Sequence, residues 1–200
     1  MNFLTEVSSL IKTIELKNDP VIITINEFNE ESASDFAEAF SLAHNTGQKV
    51  IPVIIDSFGG QVYSLMSMIS TIRNSKIKVA TIVRGKAMSC GAILASFGAE
   101  GYRYMDKDAT MMIHDVSSYA FGKIEELKSD VRESERLNKK VYTMMAKNCG
   151  KEDDYFTKLI HDKGHADWFL DAEEAKAHNI VQSLDIPNLK GKVTVTIDLE

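Results

Sequence analysis

Four short apolar runs rich in β-branched residues recur along the chain, at residues 21–25, 50–55, 79–83 and 110–113. Each is bounded by Gly, Asp, Asn or Lys, which is typical of short buried strands. Two stretches with the apolar period of a helix, at residues 32–43 and 62–72, separate the first three runs. Alternating strands and helices predict right-handed crossovers, and therefore an α/β fold with a parallel sheet.

A long amphipathic pattern at about residues 123–149 follows these runs and ends before Gly150, a residue type that suits the position just past a helix. A helix of this length is too long for a domain of 200 residues to cover, so we expect it to project and to offer an oligomer contact. An ordinary long surface helix is the alternative. A short helix at residues 171–178 and a terminal strand at residues 191–199 complete the predicted elements.

The composition predicts one soluble domain in a reducing compartment. A hydrophobic fraction of 44% in 200 residues is enough for one core. The net charge is −6 and the basic residues are spread along the chain, so a nucleic-acid partner is not expected. Two widely separated cysteines predict neither a disulfide framework nor a metal site. Residues 1–10 lack the features of a signal peptide. The longest apolar run, residues 87–97, is too short to cross a bilayer. We therefore expect a cytoplasmic protein without a membrane partner.

Ser89 lies between the predicted strand at residues 79–83 and a small-residue helix predicted at residues 92–98. A serine between strand and helix, followed two residues later by a glycine, is typical of a nucleophile elbow, which exposes Oγ and presents the next N–H to a carbonyl group. Ala87 stands where the strict pattern has its first glycine. A plain helix N-cap is therefore the alternative for this serine.

A second turn, Asp-Ser-Phe-Gly-Gly, ends at Gly60 and also lies between a predicted strand and a predicted helix. Gly59 and Gly60 allow the backbone to present N–H groups to an anion or to a substrate strand, which would supply half of an oxyanion hole. A tight strand-to-helix turn is the alternative. A dinucleotide site is not predicted, because the chain has no G-x-G-x-x-G motif.

Among the five histidines, His114 is the candidate base, because it stands at the end of a predicted strand, where a parallel sheet presents side chains to its crevice. The others lie in polar helix or loop contexts where solvated side chains are expected: His44, His161, His165 and His178. No pair has H-E-x-x-H spacing, so no metal site is predicted.

The orienting acid has several candidates among 29 acidic residues. Asp167 precedes the apolar segment Trp-Phe-Leu, a setting in which a carboxylate needs a partner such as an imidazole N–H. Asp56 and Asp115 compete with it, the first beside the Gly-Gly turn and the second beside His114.

Four motifs, taken in order, resemble the proteolytic subunit of the ATP-dependent Clp protease, a family of serine peptidases: Asp-Ser-Phe-Gly-Gly, Ala-Met-Ser-Cys-Gly-Ala, Met-Ile-His-Asp and Asp-Trp-Phe-Leu-Asp-Ala-Glu-Glu-Ala. The similarity covers roughly residues 21–182 and is that of a divergent branch, for which a phage origin is one alternative. It implies that Ser89 is the nucleophile, His114 the base and Asp167 the orienting acid. It also implies that the N–H groups of Gly60 and Cys90 form the oxyanion hole, that Gly59 and Gly60 bind a substrate strand, and that no metal or cofactor is needed.

The resemblance further implies a crotonase-like fold of repeated βαβ units. One domain, residues 1–200, would consist of a head at about 1–120 and 151–200 and a projecting handle helix at about 123–149. In the family, two rings of seven subunits meet through this helix and enclose a chamber that admits unfolded chains. The expected partners are unfolded protein or peptide substrates, further copies of the chain in a tetradecamer, and an AAA+ Clp ATPase.

Several positions depart from the family pattern. Phe58 replaces a usual proline and Asp115 a usual glutamine, and neither change removes a catalytic group. Ala166 replaces an arginine that pairs between rings, which weakens the expectation of a stacked tetradecamer. Pro52 and Ile54 replace tyrosines of the ATPase docking pocket, which weakens the expectation of a standard ATPase partner.

Three other functions remain alternatives. A phage head-maturation protease would use the same triad on scaffold proteins, and a catalytically silent ring subunit would line a mixed assembly. An acyl-CoA hydratase or isomerase of the crotonase superfamily would use acidic bases, and would leave the pair of Ser89 and His114 unexplained.

Overall fold

A computed structural model of the protein describes residues 19–117, 121–164 and 167–190. Within these ranges the strands are β1 (Ile23–Ile25), β2 (Val50–Ser57), β3 (Lys78–Met88), β4 (Arg103–Met105), β5 (Thr110–Ile113) and β6 (Trp168–Leu170). The helices are α1 (Glu30–His44), α2 (Val62–Arg73), α3 (Cys90–Ala95), α4 (Ile124–Asn148), α5 (Tyr155–Asp162) and α6 (Ala172–Ala177). The strand predicted at residues 191–199, the segment 1–10 and the departure at Ala166 lie outside the described residues.

One sheet contains all of these strands, in the order β1-β2-β3-β5-β6, with β4 also paired to β3. The first half of β3 pairs with β4 and its last residues pair with β5, so this long strand joins two parts of the sheet. The pairs from β1 to β5 are parallel, whereas β6 runs antiparallel to β5. The predicted α/β class and the parallel pairing of the four predicted strands are therefore confirmed.

The core explains why the strands appear as continuous apolar runs. Ile51, Pro52 and Val53 are all buried although they are consecutive in β2, because both faces of a parallel sheet are covered. The apolar faces of α1 and α2 pack in the same core through Phe36, Phe40, Leu65 and Met68. None of the helices in the described part of the chain is both long and apolar enough to span a membrane.

Helix α4 has a buried half and an exposed half. Its 25 residues correspond to about 37 Å of helix. All of its buried residues lie between Leu137 and Ala146, while Ile124 and Val131 nearer its start are 71% and 56% exposed. Gly150, just past its end, has φ 67°, as expected for the residue that follows a helix.

Candidate active site

Ser89 alone forms the turn between β3, which ends at Met88, and α3, which begins at Cys90. Its backbone has φ 54° and ψ −118°, a conformation that non-glycine residues rarely adopt and that surrounding contacts must hold. The Ser89 N–H donates to the carbonyl of Met112 at 2.8 Å, and the Ser89 carbonyl accepts from the Ala92 N–H at 3.0 Å. The predicted turn from strand to serine to helix is present, although the strand is longer and the helix starts earlier than the apolar pattern indicated.

His114 follows the end of β5 and lies beside this turn. Its Nε2 is 2.9 Å from Ser89 Oγ, a hydrogen-bond distance. The two side chains meet because β5 is paired with the end of β3, with Met112 opposite Met88. On the other side, the Tyr142 hydroxyl of α4 donates to the His114 carbonyl at 2.6 Å, which fixes the backbone that carries the imidazole.

Asp167 precedes β6 and lies beside the second imidazole nitrogen. Antiparallel pairing of Ile113 with Trp168 brings the two residues together, and Asp167 Oδ1 is 3.8 Å from His114 Nδ1. This distance fits an ion pair and is longer than a hydrogen bond. The Asp167 side chain is 56% exposed, so the expectation of an apolar setting was wrong. Successive side chains of a strand point to opposite faces, and here Trp168 enters the core while Asp167 faces solvent.

Trp168 holds β6 in place behind Asp167. The indole is 3% exposed, its Nε1 donates to Glu174 Oε1 at 3.0 Å, and its ring meets that of His178 edge-on at 4.9 Å. His178 is half-buried rather than solvated, and its Nδ1 lies 2.8 Å from the Tyr155 hydroxyl. Burial lowers the pKa of His178. His44 and His161 are exposed, as expected, and His165 lies outside the described residues.

The competing acids have other surroundings. Asp56 Oδ1 accepts from Lys86 Nζ at 2.6 Å, so this carboxylate is paired with an amine rather than with an imidazole. The pKa of Tyr142 is raised mainly by burial and to a smaller extent by the charge of Asp115. Asp115 adjoins His114 in the sequence, and it remains the alternative acid.

The Gly-Gly turn packs directly against Ser89. Gly59 has φ 102°, and a Cβ on it would lie 2.8 Å from Ser89 Cβ, so no side chain fits there. Gly60 has φ 146°, and a Cβ on it would collide with the Phe28 carbonyl oxygen. These two contacts explain why both positions are glycine.

Two backbone N–H groups are candidates for an oxyanion hole. The Phe28 N–H donates to the Gly59 carbonyl at 3.2 Å. Because a trans peptide directs its C=O and N–H in opposite directions, the Gly60 N–H points away from Phe28. The Cys90 N–H stands at the first position of α3, where it has no acceptor within the helix. The contribution of Phe28 was missed from the sequence, since a tertiary bridge leaves no local signal.

Exposed Phe58 is held beside the Gly-Gly turn by a cation. Lys86 Nζ lies 4.5 Å from the centre of the Phe58 ring, and the same amine is fixed by Asp56. Cation–π contacts of this kind favour one ring orientation. A group of three or more His, Cys, Asp or Glu side chains able to hold a metal ion is not found in residues 19–117, 121–164 and 167–190.

A serine hydroxyl hydrogen-bonded to an imidazole, beside backbone N–H donors on an α/β sheet, defines the class of site that hydrolases use for acyl transfer. Residues 6–185 match the profile of the Clp protease family, and the chain belongs to this family. One relative, the ATP-dependent Clp protease proteolytic subunit 2 of Bacillus licheniformis, is 30% identical over 170 residues, which cover 84% of this chain and 87% of the relative. The chain is therefore a divergent member of a peptidase family, and the resemblance seen in its motifs is confirmed.

Proposed function

We propose that the chain is a serine endopeptidase in which Ser89 is the nucleophile, His114 the general base and Asp167 the acid that orients the imidazole. The observation that supports this most directly is the 2.9 Å separation of His114 Nε2 and Ser89 Oγ. Membership of a peptidase family supplies the reaction class. A hydratase or isomerase would leave this hydrogen bond without a role.

The proposed reaction follows from the positions of these groups. Ser89 Oγ attacks the peptide carbonyl while His114 Nε2 removes its proton, and the resulting oxyanion accepts hydrogen bonds from the N–H groups of Gly60 and Cys90. His114 then donates the proton to the leaving amine as the C–N bond breaks, which leaves an acyl ester on Ser89. Water, deprotonated by His114, attacks the ester and releases the acid and the free serine. The Asp167 carboxylate favours the tautomer with its proton on Nδ1, the nitrogen 3.8 Å away.

We propose unfolded proteins and peptides as substrates. An extended chain can pair as an added strand with exposed backbone, and such pairing depends little on sequence. The Gly59 backbone lies against Ser89, and neither Gly59 nor Gly60 carries a side chain, so a substrate strand could approach the nucleophile closely here.

We further propose that residues 1–200 form a single cytoplasmic domain that assembles into rings enclosing a chamber. The exposed apolar residues of α4, Ile124 and Val131, support an oligomer contact along the handle helix, since isolated chains would leave them in water. Stacking of two seven-membered rings and docking of an AAA+ Clp ATPase are proposed by family resemblance. Native mass spectrometry of the full chain tests the assembly, and a monomer at working concentration would count against the chamber.

Replacement of the proposed nucleophile tests the function. We expect Ser89→Ala to reduce turnover of a fluorogenic peptide by at least about a thousandfold, and to abolish labelling by a fluorophosphonate probe. Ser67→Ala is the matched control, because Ser67 is an exposed serine of α2. Full activity of Ser89→Ala, or probe labelling at another residue, would contradict the assignment.

A further inference from the structure

The side chain of Cys90 contacts the Gly-Gly turn, although it is not a member of the proposed triad. Its Sγ lies 3.3 Å from the carbonyl oxygen of Gly60, and the side chain is almost fully buried, with 1% of the residue exposed. The contact joins the first residue of α3 to the Gly-Gly turn. It therefore connects the two segments that carry the proposed oxyanion donors.

The thiol is the donor in this contact. Burial raises the pKa of the Cys90 thiol to about 11, although hydrogen bonds with the backbone of Gly60 and with the side chain of Ser89 oppose the rise. The sulfur therefore keeps its proton at neutral pH and can donate an S–H to the Gly60 oxygen. A thiol in this state is a weak donor and a poor nucleophile, so a separate covalent role is not implied.

Both peptide groups that flank Gly60 are held by hydrogen bonds. The Phe28 N–H donates to the Gly59 carbonyl, which fixes the plane that contains the Gly60 N–H. The following peptide group, between Gly60 and Gln61, is held at both of its polar atoms. Its N–H, that of Gln61, donates to the Phe28 carbonyl at 2.7 Å, and its carbonyl, that of Gly60, accepts from the Cys90 thiol. Glycine has the widest backbone freedom of any residue type, so loss of the thiol contact would leave the second plane held by the Gln61 N–H alone and would let the backbone at Gly60 turn.

We infer that the Cys90 side chain is a positioning residue for the oxyanion hole: its thiol binds the Gly60 carbonyl and keeps the Gly60 N–H in line with the N–H of Cys90 itself. The inference rests on the proposed function and extends it to a group outside the triad. The thiol touches no reacting atom in this role. It acts by holding one donor at a fixed distance from the other, and preorganised donors are worth most when charge develops on the substrate oxygen.

Removal of the donor in the full-length protein tests the inference. Cys90→Ala, and Cys90→Val as a second variant that fills the site without a donor, should each lower kcat for a fluorogenic peptide about tenfold, a fraction of the roughly hundredfold or greater loss when a whole oxyanion donor is removed. KM should stay within about twofold, because the ground state carries no oxyanion. Inhibition by a peptide aldehyde should weaken by the same factor as kcat, since its adduct carries the oxyanion. Cys90→Ser, which keeps a donor, should recover part of kcat.

Cys149→Ala is the matched control, because Cys149 is also buried, at 2% exposure, but lies at the C-terminal end of α4. It should keep the wild-type kcat even if its thermal stability falls as much as that of Cys90→Ala. Wild-type kcat in the alanine or valine variant of Cys90, or a change confined to KM, would overturn the inference and leave the proposed function intact. A wild-type protein without peptidase activity would overturn the proposed function itself.

Discussion

Replacement of Asp167 tests how much the third proposed member of the triad contributes. Its carboxylate is 3.8 Å from His114 Nδ1 and its side chain is 56% exposed. At 4 Å, two charges interact by about 1 kcal/mol in water and about 4 kcal/mol near a protein surface of lower dielectric. Solvent reaches more than half of this side chain, so the lower part of that range, about 1–2 kcal/mol, applies to the imidazolium that forms during the reaction. We therefore expect Asp167→Asn to lower kcat by roughly 5- to 30-fold.

The assay is steady-state hydrolysis of a fluorogenic peptide by the assembled full-length protein. Asp162→Asn, at the end of α5, is the control for loss of an exposed carboxylate five residues earlier in the chain, and it should leave kcat unchanged. A buried orienting aspartate typically costs about ten-thousandfold when it is replaced by asparagine. A loss above about a thousandfold would refute the argument from solvent screening. A loss below twofold would instead favour Asp115 as the orienting acid.

Two further predictions concern groups around the site. Gly60→Ala would place a Cβ against the Phe28 carbonyl oxygen at φ 146°, so we expect loss of most peptidase activity and a decrease of about 2 kcal/mol in the free energy of urea unfolding. The control is Gly101→Ala, which should keep activity because no atom lies within 4 Å of its added Cβ, although φ is also positive there, at 79°. Equal activity of the two variants would contradict the steric argument. Burial lowers the pKa of His178, so the unfolded chain binds the proton more readily, and the free energy of unfolding should fall as pH decreases below about 6.5. The decrease in melting temperature between pH 8 and pH 5 should be smaller in His178→Gln, and equal decreases would exclude His178 as the titrating group.

The central strands could be predicted because parallel strands are buried on both faces and appear as apolar runs. Their ends could not be predicted in the same way. The run at the start of β3 stops at Val83, but the strand continues past a register shift at exposed Arg84 and Gly85 to Met88, because backbone pairing with β2 and β5 does not require apolar side chains. Strand β6 was missed since three residues are too few to show a period.

The sequence suggested residues that the structure brings together, but it did not predict their environments. Ser89 was suggested by its place between strand and helix, and the short hydrogen bond to His114 fits that interpretation. The surroundings of Asp167 were misjudged, because apolar neighbours in sequence lie on alternate faces of a strand. Phe28 and Tyr142 act through bridges to distant segments, which a single sequence does not reveal.

The order of strands explains how three separated residues meet. Strand β5 lies between β3 and β6, so His114 is placed between a residue that follows β3 and a residue that precedes β6. The pairs of Met88 with Met112 and of Ile113 with Trp168 set the register. A slip of β6 by one residue would turn Asp167 to the opposite face of the sheet and expose the indole. The buried Trp168 side chain opposes that slip, so its burial and its hydrogen bond to Glu174 maintain the distance between Asp167 and His114. Core packing at Trp168 therefore determines the geometry of an acid that is itself largely in solvent.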